Sequence, residues 1–425
     1  MPKSLKISTL AVSAVLLLTM FLGANLRRVH ASGQAQEGAY RQMQVYSEVL
    51  RHIQSDYVVD PNMPKVTDAA MRGLLESLDA ESSYLTPEEY KLYKAGLGKP
   101  HAGIGADMGK RYGIGLIISV VPGGPADKAG LHSGDRIEGV GERSTMDMSL
   151  AEIKMAVEGE KGTTVNLSVI RPMKSAPEKV TVTRADTTLP ATAEVFYESG
   201  SILYIKPGTL DHDHIQQVEQ KLKNMGRTNS KKILLDLRDV STGDNAEAIR
   251  MANLFVKTGT IASLEGQKVA KQTFTAEPGK SVNDKAPMVT LVNHGTAGPA
   301  EIVAGALLDS KRSELVGEKT YGEGAQQRTF ELPDGAAVIL SVAKFQTPSG
   351  KKYQDEGLTP TTAVASTQET ATADDDDDDN ADGAASTATV NSSKPAAAAT
   401  AAVKPTATID EQLNKALDIL KAKTA

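Results

Sequence analysis

The sequence predicts a multidomain chain of mixed α+β and α/β class: a helical N-terminal region, a β-rich middle, and an α/β core on a mainly parallel sheet. Three observations carry that expectation. Apolar residues repeat at helical spacing before residue 98. Short β-rich runs punctuated by glycine fill residues 99–186. Strand and helix patterns then alternate from residue 187 to residue 364. At roughly 100–200 residues per domain, 425 residues leave room for two or three such units.

The first 31 residues read as an export segment. Lys3 and Lys6 precede an uncharged apolar stretch from Ile7 to Leu26, followed by Arg27 and Arg28. Twenty residues at about 1.5 Å each span about 30 Å, the thickness of a bilayer core, which suits an inner-membrane anchor. The small-residue site Val29-His30-Ala31 suits a cleaved signal peptide. Both alternatives place the rest of the chain outside the cytoplasm, in the periplasm or cell envelope.

In the helical region, 39–98, Val49, Leu50, Ile53 and Tyr57 share one face, as do Ala70, Leu74, Leu75 and Leu78. Thr86-Pro87-Glu88-Glu89 reads as an N-cap, a proline at the first helical position and acids in the first turn. In the core, 187–364, the alternation is clearest at Ser201 to Lys206, the helix around His214 to Met225, and Lys232 to Leu237. Met288 to Val292 reads as a buried strand. A glycine turn follows, then a helix with Gly298 as cap, Pro299 at its first position, and Ile302, Val303, Ala306 and Leu307 inward. Backbone N–H groups at such a helix start favour negative charge, a sensible place for a nucleophile and an oxyanion.

Residues 365–408 are mainly Ala, Thr, Asp, Ser and Pro and read as a disordered acidic linker, with too few apolar residues to offset the entropy of ordering. Its run of six consecutive aspartates, Asp374 to Asp379, equals the whole net charge of −6. They read as a solvated spacer, with a weak calcium or cationic-partner site as the alternative. Residues 409–423 form an amphipathic helix with Ile409, Leu413, Ala416, Leu417 and Leu420 in one stripe, a surface suited to self-assembly as a homo-oligomer.

Composition removes several function classes. With no cysteine there is no disulfide scaffold, thiolate metal site or cysteine nucleophile. The acidic balance offers nucleic acid no basic face. His212-Asp213-His214 does not make a metal site, because residues two apart cannot share a helical face and no third ligand is evident. No cofactor and no metal are expected.

Two constellations carry the functional reading. Gly103-Ile104-Gly105-Ala106 precedes a strand at Ile114 to Val121 and the series GGPADKAGLHSGDRIEGV. Glycines so spaced let a loop turn its N–H groups inward as a carboxylate nest, beside a sheet edge able to add an extended peptide. This stretch resembles a PDZ domain. The resemblance implies that residues 102–106 bind a peptide carboxylate, that the helix Ser149 to Val157 forms the far wall, and that Ile104, Ile153 and Val157 line the apolar pocket.

The second constellation comprises LDAESSYLTPEEY, LLDLRD at 234–239, AEIVAGALLD at 300–309, LVGEKTYGEG at 315–324 and KFQTPSGKKYQDEGLTP at 344–360. In this order, with the PDZ-like part, they resemble the C-terminal processing peptidases, or tail-specific proteases, which join a PDZ domain to a Ser-Lys protease core. The resemblance runs from about Tyr46 through Pro360. It implies that the nucleophilic serine falls on Gly298 and the general-base lysine on Glu323, while Asp309 matches a family position and is retained. Acyl transfer needs an activated hydroxyl and a base able to take its proton; Gly298 offers no side chain, and Glu323, which could in principle be a base, has nothing there to deprotonate. Thr242, beside Gly243, replaces a glycine whose N–H would help stabilise an oxyanion. The expectation is a catalytically inactive homologue that binds extended peptides or protein C-terminal tails as adaptor or regulator, with an active protease relative as a candidate partner. Two alternatives stand beside it: an active enzyme with a rearranged site drawing on Thr296, His294 or Lys319, and a self-assembling envelope protein.

Overall fold

In the computed structural model the described residues are 40–96, 102–172, 174, 176–366 and 410–423. The export segment and the Asp374–Asp379 run fall outside them. Among the described residues no helix is long and apolar enough to cross a membrane. The chain divides into two compact units, Met1–Met71 and Arg72–Ala425. In the first, residues 40–56 are helical, with Met43 and Val49 exposed and Leu50 and Ile53 half-buried.

Among the described residues the second unit contains three sheets. The first is antiparallel, with strands in the order Ala106–Arg111, Ile114–Val120, Arg136–Val140, Thr164–Ile170 and Glu178–Thr183. Ala106–Arg111 lies at its edge, and the helix Leu150–Val157 packs against it. That helix starts where the sequence sets a capping box: the Ser149 hydroxyl accepts from the Glu152 amide, and the Glu152 carboxylate accepts from the Ser149 amide at 2.8 Å. The core of this part includes Ile104, Met108, Ile117, Leu131, Ile137, Ile153, Val157 and Leu167.

The second sheet is the α/β core, ordered Thr362–Ala363, Glu314–Gly317, Met288–Val292, Lys232–Asp236, Ile202–Lys206 and Ala193–Tyr197. All neighbours are parallel except the last pair, a hairpin. Every residue of Lys232–Asp236 and Met288–Val292 is buried, as a parallel sheet covered on both faces requires. The helices His212–Lys223, Asn245–Phe255 and Pro299–Asp309 cover one face, meeting Leu203, Ile205, Ile233 and Leu235. The opposite face, Ile202, Leu234, Val289, Leu291 and Val316, receives Ala416 and Leu420 of the helix Glu411–Ala422. Of the apolar stripe read as a surface for self-assembly, Ala416 and Leu420 are buried within their own chain and Leu413 and Leu417 pack half-buried against the same face, while Ile409 lies outside the described residues.

A third sheet is absent from the sequence reading. Ser83–Leu85, Ala337–Gln346, Thr260–Glu265 and Gln272–Thr275 pair antiparallel, with Ala325–Glu331 also on Ala337–Gln346. The N-terminal region, expected to be helical throughout, thus gives a strand to the core. The three residues of that strand are too few to show a period of two, and all three are buried.

Candidate functional site

The site lies at the carboxyl ends of the parallel strands, where open α/β sheets place their crevices. The turn after Met288–Val292 is knitted to the segment after Lys232–Asp236. Asn293 accepts from the Asp239 amide at 3.0 Å and donates to the Asp239 carboxylate at 2.9 Å. The Thr296 hydroxyl donates to the Leu237 carbonyl at 2.8 Å and accepts from the Asn293 amide at 3.0 Å, while the Ala297 amide donates to Val240.

Gly298 caps the helix with φ 53° and ψ −118°, a conformation that L side chains rarely adopt. A Cβ built there would lie 3.2 Å from Oε2 of Glu323 and 3.4 Å from the Ser241 carbonyl. The two positions singled out in the sequence therefore face one another, although they lie 25 positions apart in the chain.

Glu301, one turn into the helix, explains how they meet. Its carboxylate is fully buried and accepts from the amides of Gly298 (3.2 Å), Gly322 (2.8 Å) and Glu323 (2.7 Å), and from the Thr320 hydroxyl. One side chain thus clamps the loop 320–323 onto the helix start. Burial pushes its carboxyl up to about 7 against the pull of those donors. The sequence reading missed it, though a glutamate three residues after a helix cap is a readable signal.

Glu323 is half-buried. Among the described residues its carboxylate has no hydrogen bond and no ion pair within 4 Å. Burial, then the nearby Asp107, push it up to about 8, with Lys154 opposing. Lys154 itself is pulled down by burial, but Asp107 and Glu323 outweigh that and hold it above its ordinary value. The Lys154–Asp107 pair, at 3.4 Å, crosses from the helix Leu150–Val157 to the edge strand. Arg111, at the end of that strand, donates to the carbonyls of Tyr321 (2.9 Å) and Gly322 (3.1 Å) and pairs with Asp355. Neither Lys154 nor Arg111 stands out in the sequence, because their partners come from distant segments.

The folded state holds a proton on Glu323 that an unfolded carboxyl of ordinary pKa 4.5 has released by neutral pH. Its contribution to stability is full below about pH 4.5 and is lost as pH rises through about 8. We expect urea unfolding to give a stability on the order of 2 kcal/mol lower at pH 8.5 than at pH 5. Glu323→Gln should reduce that difference without abolishing it, since Glu301 acts with the same sign; an unchanged difference would contradict the assignment.

The remaining candidates divide. Gly103, Ile104, Gly105, Ala106 and Val157 line a cavity of about 300 Å³, with Lys154, Lys206, Asp239 and Thr242 on its other walls. Ile153 does not line it; it is fully buried in the core behind. The Thr242 carbonyl accepts from the Leu210 amide and the Thr209 hydroxyl, both at 3.0 Å, which ties this loop to residues 209–210. Gly243 has φ 132° and bridges Leu210. Asp309 sits at the far end of the helix from Gly298, about 15 Å along the axis, and accepts from the Ser349 amide. The buried Thr296 hydroxyl is committed to the turn, whereas His294 and Lys319 are exposed. His212 pairs with Glu247 and His214 with Asp211, and among the described residues no cluster could hold a metal ion.

Comparison with known proteins agrees with this architecture. Residues 116–171 match the PDZ domain family and residues 201–364 match peptidase family S41. The chain is 32% identical over 319 residues to carboxy-terminal processing protease CtpA of Bacillus subtilis, covering 74% of this chain and 67% of that protein. It is 30% identical over 316 residues to a chloroplastic carboxyl-terminal-processing peptidase of Arabidopsis thaliana, covering 70% of this chain and 60% of that one. A solved structure, the photosystem II D1 C-terminal processing protease, shares the fold with a TM-score of 0.64 at 24% identity, covering 76% of this chain and 92% of that one. With a PDZ sheet and an S41 core joined in this order, and with identity at this level across two thirds of a curated relative, the chain belongs to the carboxy-terminal processing protease family.

Proposed function

We propose that this protein is a non-hydrolysing member of its family that binds extended peptides or protein C-terminal tails, acting as an adaptor or regulator in the cell envelope. The observation that carries the reading is the pairing of Gly298 with Glu323. The fold brings together the two positions where the family resemblance puts nucleophile and base, and fills them with a residue lacking a side chain and a carboxyl. Losing such a nucleophile typically costs on the order of a million-fold in kcat. Thr296 is a poor substitute, because its hydroxyl is buried and already donates to a backbone carbonyl.

The binding half rests on the groove. The strand Ala106–Arg111 has a strand neighbour on one side only among the described residues, the arrangement that strand addition uses, and the glycine loop at its start borders the 300 Å³ cavity. Envelope localisation rests on the apolar run Ile7 to Leu26 between basic residues. An active relative sharing the same tails is the natural partner for such a regulator.

The test is fluorescence anisotropy with a labelled peptide ending in apolar residues. Saturable binding is expected with a free carboxylate, and at least about tenfold weaker binding with an amidated C-terminus. Gly105→Val should weaken binding similarly: Gly105 has φ 71°, and a Cβ there would lie 3.0 Å from Pro125. Equal affinity for both peptide forms would refute carboxylate recognition.

A further inference from the structure

The C-terminal helix Glu411–Ala422 is tied to the sheet at both ends. At its C-terminal end the nearly buried Lys232 donates through Nζ to the Leu420 carbonyl at 2.8 Å, and Lys423 pairs with Glu314 at 3.0 Å. At its start Asp410 serves two partners: its carboxylate accepts from the Leu413 amide as the N-cap and pairs with Arg238 at 2.9 Å. The Arg238 guanidinium also pairs at 2.7 Å with Asp236, a fully buried carboxylate that accepts from Tyr204 as well. Arg238 therefore bridges the helix start and the sheet interior.

Arg238 opens the segment that forms one wall of the site. Asp239 follows in the left-handed region, φ 58°, and Asp239 and Thr242 both line the groove cavity. Val240 holds the turn before Gly298, and Ser241 joins the groove sheet through a 2.7 Å hydroxyl contact with Ser119. The helix, in contrast, is joined to the core in sequence only through residues 365–409. Gln412 donates to the Val364 carbonyl at 2.9 Å, so that connection leaves and returns at one point. The helix packs on the strands Lys232–Asp236, Met288–Val292 and Glu314–Gly317, so unseating would uncover their shared face without cutting a chain connection other than 365–409. Its absence would leave Ile202, Leu234, Val289, Leu291 and Val316 open to water beside an unpaired Lys232, which favours its return.

We propose that the C-terminal helix is a reversibly seated strap which, through the Asp410–Arg238 bridge, fixes the loop 238–243 that walls the groove and the Gly298 turn. Strap seating and loop order are then two readings of one equilibrium, and anything that binds the ordered loop holds the strap down.

Hydrogen exchange by mass spectrometry on the full chain tests this without reference to any ligand. Asp410→Asn keeps a good N-cap but removes the charge that Arg238 pairs with. Leu420→Asp puts a charge into the buried face of the helix. In both variants the amides of 239–243 should exchange at least about tenfold faster, a loss on the order of 1.4 kcal/mol of local protection. Amides of 288–292 should be unchanged in Asp410→Asn. Loop exchange unaltered in Asp410→Asn would overturn the proposal, and so would uniform acceleration across all three sheets in Leu420→Asp.

Discussion

Gly298→Ser combined with Glu323→Lys should raise hydrolysis of an unstructured reporter peptide from background to at least about 10²-fold above it. The backbone already places the two positions side by side, since a Cβ at 298 would lie 3.2 Å from the Glu323 carboxylate. Glu301 holds both through three amides and so fixes their geometry whatever side chains they carry. The serine must adopt φ 53°, a strain of about 1–3 kcal/mol, which the surrounding hydrogen bonds are placed to hold. Gly298→Ser alone should stay at background, because a carboxyl pushed to about 8 keeps its proton near neutrality and cannot take another. A folded double variant with no activity would show that the dyad is not the whole loss, and would point to the loop at Thr242.

Glu301→Ala should lower stability in urea by about 4 kcal/mol. The substitution leaves the buried amides of Gly298 and Gly322, the part-buried amide of Glu323 and the buried Thr320 hydroxyl without their shared acceptor. Unsatisfied buried donors cost roughly 1–3 kcal/mol each, and relaxation of the loop 320–323 recovers part of the total. Glu301→Gln keeps one acceptor and should lose about half as much. Placed in the Gly298→Ser, Glu323→Lys background, Glu301→Ala should abolish the recovered hydrolysis. A loss below about 1 kcal/mol for the alanine variant would mean that the loop is held by something else.

The parts legible in sequence were those whose signal is local. The strand Met288–Val292, its turn and the Gly298-Pro299 helix start appear as read, because a buried strand and a Pro at the first helical position are written in consecutive residues. The glycine loop at 103–106 and the helix behind it are legible for the same reason. What escaped depends on distant partners. The strand Ser83–Leu85 makes sense only against Ala337–Ile339, more than 250 residues away. Ile153 was placed in the groove by the resemblance to a PDZ domain, which makes the helix the far wall but does not tell which of its apolar residues turns into the core. The stripe of the last helix was read as an outer surface because nothing local announces the matching face of the core sheet. At the site itself, the family resemblance pointed to Gly298 and Glu323, but not to the Glu301 clamp that holds the two positions in register.

Mass spectrometry of a free-carboxylate peptide, recovered after prolonged incubation with the full chain at saturating protein, tests the central claim most directly. A non-hydrolysing binder returns the peptide at its original mass, with anisotropy unchanged over the same period. Fragments that accumulate in proportion to protein, and disappear with Thr296→Ala, would contradict it and assign the hydrolysis to that hydroxyl.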